Sequence, residues 1–261
     1  MTTRSRIAPM LAKGAMRILL GGACSIVTMV VVLSGYVLCK QQPFATPVRL
    51  ELTALDRAIP FLPWTVWIYS SMSQAIFAAW VLVPNMRMAW RLMAGLALAA
   101  VICWCFFAFF PTTYPRELFP LPRTFDSAIM ELAEVRRLDD PTNCFPSMHV
   151  ALACCLALTM LEYDFSWPAR ATVMLWGITI NLSTLTTKQH YVVDVLGGAV
   201  TGIVAYALVR RAATTEGRPI WNLGFQPITL TGMSAREVIA KIRRKMPERG
   251  WSVAELPWPK T

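Results

Sequence analysis

The chain has 261 residues, of which 56% are hydrophobic and only 15% charged; a soluble domain of this length carries about a quarter charged residues. The formal charge is +10, which in a soluble protein would raise nucleic acid as a partner, but no nucleic-acid motif or basic–aromatic stacking platform occurs. The Lys and Arg residues flank apolar runs instead, the pattern of membrane topology and contact with anionic lipid.

Apolar runs fall in chain order at 18–39, 61–84, 92–110, 145–161, 171–187 and 191–209, each near the ~20 residues that a crossing helix needs. The first is followed by no A-x-A-like cleavage site and reads as a mature span. The connection 110–147 opens with Pro111, Pro115, Pro120 and Pro122, which break helices. It continues as Asp126–Leu138, with Ile129, Leu132 and Val135 at helical spacing, which predicts a short helix lying on the membrane surface. The seven cysteines, at 24, 39, 103, 105, 144, 154 and 155, sit mostly inside apolar runs and read as packing residues, not a disulfide framework. Past Arg211 the chain is polar and basic. Ser234-Ala-Arg-Glu237 is a capping-box pattern, and Val238, Ile239, Ile242 and Met246 form a stripe that would pack on the membrane, the protein or a partner.

With a cytoplasmic N-terminus, seventeen Lys and Arg residues fall inside and eight outside, or ten against eight once the seven after Arg218, far from any span, are left out. The expected fold is all-α: an integral membrane bundle of six transmembrane helices, residues 1–211, with a short interfacial helix and a small basic cytoplasmic tail, residues 212–261. Both termini would be cytoplasmic, in a bacterial inner membrane.

Only two histidines occur, His149 and His190. Both begin an apolar run on the outer side of this topology. Ser183 and Thr184, at the end of the fifth run, reach the same level, as do Arg116 and Arg123 just past the third. Asp194 is the one acidic residue within a run, and such a residue is expensive in a membrane without a partner. At i, i+4 on a helix its partner would be His190, and a carboxylate holding one ring N–H leaves the other nitrogen as base or nucleophile; a buried structural hydrogen bond is the plainer alternative. Pro146 would open the fourth helix, and Ser147 beside its free N–H groups suits a phosphate. Arg116 and Arg123 would grip phosphate oxygens, or else snorkel to lipid headgroups. Two histidines and an aspartate could bind zinc in principle, but the carboxylate is engaged with His190, so no metal and no other cofactor is expected.

R-x6-R at 116–123, P-S-M-H at 146–149 and S-T-x5-H-x3-D at 183–194 resemble the signature of the type 2 phosphatidic acid phosphatase superfamily: K-x6-R-P, P-S-G-H, then S-R-x5-H-x3-D. The text around Cys144–Ala151 and Thr186–Gly198 is most similar to its inositol-phosphorylceramide-synthase-like branch. The resemblance implies that His190 attacks phosphorus, Asp194 orients it, His149 protonates the leaving alkoxide, and Arg116, Arg123, Ser147, Ser183 and Thr184 hold the phosphate. Arg116 stands for Lys, Thr124 for Pro, Met148 for Gly and Thr184 for Arg. Lys188 replaces that last charge, or else the substrate is a less charged diester. The implied function is a metal-independent lipid phosphatase acting on a phosphate-bearing membrane lipid. The alternatives are a phosphotransferase moving a phospho-headgroup to a lipid alcohol, and a non-catalytic lipid-binding or transport protein.

Overall fold

The computed structural model describes residues 3–41, 43–124, 126–139 and 141–215, with side chains described between 14 and 213. Cα packing divides the chain into Met1–Gly217 and Arg218–Thr261. The basic tail beyond residue 215, with the helix expected after Ser234, lies outside the described residues.

Nine α-helices run through the described residues: α1 (Thr3–Gln41), α2 (Ala54–Ala58), α3 (Val66–Ser70), α4 (Met72–Leu82), α5 (Met86–Phe109), α6 (Ser127–Leu138), α7 (Met148–Met160), α8 (Trp167–Thr186) and α9 (Val192–Thr215). Four stretches are long and apolar enough to cross a membrane: Gly14–Gln41, Pro63–Leu82, Met86–Phe109 and Val192–Ala213. The other two expected spans differ. Apolar α7 has 13 residues, a rise of about 20 Å, and α8 is long enough at 20 residues but falls short in apolarity. The expected second span is broken at Ser71, between α3 and α4. The third begins earlier than its apolar run because Asn85 caps α5, its side chain accepting the Met88 N–H, which takes Arg87 and Arg91 into the helix. The expected domain boundary at 211 falls inside α9.

Helix α7 sits at the centre. Ten of its thirteen residues are buried, including Val150, Ala151, Ala153, Cys155 and Leu156 at 0% exposure, so its apolar residues run all round. Against it pack α5, α8 and α9. Its crossing with α9 is close: a Cβ on Gly202 would lie 2.3 Å from the Ala151 carbonyl oxygen, and one on Gly198 would lie 2.5 Å from that of Ser147. Small residues four apart are what allow two membrane helices this contact.

The fold is not wholly helical. Val48–Arg49 (β1) pairs in parallel with Thr112–Thr113 (β2). This ladder ties the segment after α1 to the segment after α5, and it anchors the site: the Phe145 N–H reaches Thr112 Oγ1 at 2.8 Å, and the Tyr191 hydroxyl donates towards the Leu50 and Thr113 carbonyls. Helix α6 forms where expected, opened by Asp126, whose carboxylate accepts the Ala128 and Ile129 N–H groups. Its apolar stripe packs on protein: Ala128 and Leu132 cluster with Val66, Phe61 and Leu121.

Candidate active site

His190 does not lie on a helix, as i, i+4 spacing suggested; it sits in the bend before α9. Its contact with Asp194 arises differently. Asp194 is in the first turn of α9 and its Oδ2 accepts the Tyr191 N–H at 2.9 Å, half of a capping box. The same oxygen lies 3.3 Å from His190 Nδ1, and the Cys144 carbonyl oxygen lies 3.1 Å from that nitrogen. Both partners are acceptors, so Nδ1 carries the proton and Nε2 keeps its lone pair. Asp194 is fully buried, and its Oδ1 has no partner among the described residues.

Ser147 is the N-cap of α7; Pro146 precedes the helix and does not open it. The Ser147 Oγ accepts the Val150 N–H at 3.5 Å, and its own N–H donates to the Asp194 carbonyl at 3.0 Å. The two motifs are thereby joined by backbone. His149 follows in the first turn of α7. Its ring stacks on Tyr69 of α3, centroids 4.0 Å apart, and its Nδ1 lies 3.2 Å from the Tyr69 hydroxyl. His149 is within electrostatic range of His190 and Asp139.

Arg116 is buried in a short 3-10 turn, Arg116–Leu118, and pairs with Asp139 at the end of α6, Nη2 to Oδ2 at 3.2 Å. Its Nη1 also donates to the Asp139 carbonyl, and the Tyr36 hydroxyl meets the Asp139 carboxylate. Arg123 is exposed in a bend and takes part in no ion pair among the described residues. Ser183 and Thr184 are buried, their hydroxyls donating to carbonyls of their own helix, Ile180 and Asn181. Lys188 turns away from the expected position. At φ 55°, its ammonium donates to the Asp56 and Ile59 carbonyls at 2.9 and 2.6 Å and lies over the Phe119 ring. Burial holds it below the usual lysine range, opposed by Asp56.

Three residues that the sequence did not single out complete the surroundings. Asp56 of α2 accepts from the Thr53 N–H and hydroxyl and, through Oδ1, from the Val192 N–H at 2.8 Å. It caps α2 and α9 together and, with Lys188, clamps the turn that carries His190. Burial alone would raise its carboxyl, but the bonds from Thr53 and Val192 outweigh that and hold it below the ordinary range. Tyr69 bears on His149. Arg136 of α6 donates to the Phe119 carbonyl at 2.8 Å and towards the Thr187 carbonyl at 3.4 Å. Arg136 was legible in principle, since it shares the buried face of Ile129 and Leu132 at i+7 and i+4.

Cys144, His190 and Asp194 bring potential metal-ligand atoms within 4.8 Å of one another. Burial, with Asp194 adding to it, pushes the Cys144 thiol well above its ordinary range. His190 Nδ1 is already engaged by two acceptors.

The arrangement is that of a helical protein with four apolar stretches long enough to cross a membrane, a fixed histidine–aspartate pair, and a second histidine within electrostatic range of the first. The PAP2 superfamily model matches residues 44–208, and the chain belongs to that family. No curated protein matches it. Among solved structures, the crystal structure of Aquifex aeolicus LpxE is similar, with 19% identity and a TM-score of 0.41 over 62% of this chain and 88% of that one; a likeness so distant bears on neither fold nor chemistry.

Proposed function

We propose that the protein is a lipid phosphatase that cleaves a phosphate ester of a membrane lipid through a phosphohistidine. The observation that carries this reading is His190 Nδ1 held between the Cys144 carbonyl and the Asp194 carboxylate. It leaves Nε2 as the nucleophile, and Asp194 stabilises the positive charge that develops on the ring. Nε2 attacks phosphorus, the P–O bond to the lipid breaks, and His149 gives a proton to the departing alkoxide. With the Tyr69 hydroxyl donating to Nδ1, Nε2 of His149 bears the proton that it gives. Water then attacks the phosphohistidine, His149 takes its proton, and phosphate leaves. Arg116 holds nonbridging oxygens, with Ser147, Ser183, Thr184 and Arg123 as the further candidates that the family resemblance supplies. Lys188, tied to the α2 carbonyls, serves this site by holding the His190 turn.

The same proposal places six crossings in the membrane, α7 and α8 completing the four apolar stretches. The site then opens on the extracytoplasmic side, 1–211 is the catalytic membrane domain, and 212–261 is a cytoplasmic tail. Alkylation of single cysteines placed at residues 44 and 164 in intact cells would read opposite sides; labelling of both from outside would reject the arrangement. A second reading is transfer of a phospho-headgroup to a lipid alcohol, as in the inositol-phosphorylceramide-synthase-like branch. It is favoured by Met148 and Thr184, where the signature has Gly and Arg.

The test is phosphate release by purified protein from phosphatidate, phosphatidylglycerol phosphate and isoprenyl diphosphate, with EDTA present. Release that persists in EDTA and vanishes in His190→Ala is expected. Equal release by the mutant would sink the enzyme reading, and no release from any substrate would favour transfer, tried with a phosphodiester donor and a lipid alcohol.

A further inference from the structure

Arg136 is a partly buried guanidinium in a setting that holds it in place without neutralising it. Its two terminal nitrogens donate to backbone carbonyls, Phe119 and Thr187, its face lies 5.4 Å over the Phe61 ring, and its Nε is buried with no partner among the described residues. The carboxylates on the elements around it are engaged elsewhere: Glu131 with Ser70, Glu134 with Arg137, Asp139 with Arg116, and Asp56 with Thr53 and Val192. Leaving a buried cation without a counter-charge is costly. The two carbonyls also fix where it stands. Phe119 closes the turn that Arg116 opens, and Thr187 lies three residues before His190.

We propose that Arg136 belongs to an oxyanion subsite with Arg116, between the Arg116 turn and the His190 turn, and that the group it takes is the doubly charged phosphate of a monoester. This rests on the phosphatase reading and narrows its substrate class. Arg136 Nε and the second N–H of each terminal nitrogen remain to hold two oxygens of a tetrahedral anion, and its uncompensated charge, added to the Arg116–Asp139 pair, suits a dianion better than a diester's single charge. Burial and the Arg116 charge lower the Arg136 guanidinium to about 10, so it remains charged at neutral pH, and an anion between the two would relieve their repulsion.

The experiment uses full-length protein in detergent, with orthovanadate as the probe. Wild type, Arg136→Gln and Arg136→Lys are compared for vanadate-induced thermal stabilisation and for kcat/KM on phosphatidate and on a phosphodiester. Arg136→Gln is expected to lose vanadate stabilisation and about 100-fold in kcat/KM on the monoester, the scale of one lost oxyanion donor, with little change on the diester. Arg136→Lys, which keeps the charge and loses the fork, covers the case in which the glutamine variant does not fold, and is expected to weaken vanadate binding. Undiminished vanadate binding in a folded variant, or equal losses on both ester classes, would overturn the inference. Wild type that binds vanadate through Arg136 but turns over no lipid would reject the enzyme reading and keep the subsite.

Discussion

The two ends of the α5–α7–α9 core treat charge in opposite ways. Beyond the C-terminus of α7, Glu162 accepts from Arg91 of α5 at 2.8 Å and from the Tyr206 hydroxyl of α9 at 2.5 Å, with Arg210 at 3.4 Å. Among the described residues, Arg91 Nε alone is left there without a partner. At the other end, Arg116 Nε, Arg136 Nε, Gln189 Oε1 and Asp194 Oδ1 are all buried and unpartnered among the described residues. Buried polar groups in folded proteins are ordinarily satisfied. One end therefore reads as a finished staple, its charges answering one another, and the other keeps buried donors and acceptors open among the described residues.

The contrast can be broken at either end. The largest expected effect is at the site: Asp194→Asn keeps the shape but loses the charge that opposes the imidazolium, and should lower kcat by roughly 10³-fold with little loss of thermal stability in detergent. A large fall in stability with unchanged activity per folded molecule would make Asp194 a structural residue. At the staple the reverse is expected. Glu162→Gln should destabilise by about 1–3 kcal/mol, the range for a charge-assisted bond removed from a partly buried setting, and leave kcat intact. Loss of kcat there would show that the ends are coupled. The smallest effect concerns Asp56. Its folded-state carboxyl lies below its unfolded value of about 4, so its contribution is complete above that value and fades as pH falls through the folded one. Thermal stability of the wild type should therefore drop more steeply in acid than that of Asp56→Asn; parallel curves would mean that the clamp on α9 contributes nothing measurable.

Part of the site was legible because its signals are local. Ser147 and His149 are joined by a helix N-terminus, and His190 and Asp194 by one turn, so spacing alone brought each pair together. The route differed in the second case: His190 precedes α9, and capping geometry, not a shared helical face, makes the contact. Lys188 shows the limit. It stands two residues from His190, where the sequence placed it for phosphate, but its positive φ turns it towards α2.

The sequence by itself determined an apolar, helical chain, the two histidines and the buried carboxylate beside His190, because hydrophobic runs and short spacings are properties of neighbouring residues. Only the tertiary structure decided that the His190 turn is held by Asp56 and by the Cys144 carbonyl, that Tyr69 stacks on His149, and that Arg136 stands beside the Arg116 turn. Those contacts cross long stretches of chain, and they exist because glycines let α9 close on α7 and a two-residue ladder gathers the loops at one end of the bundle.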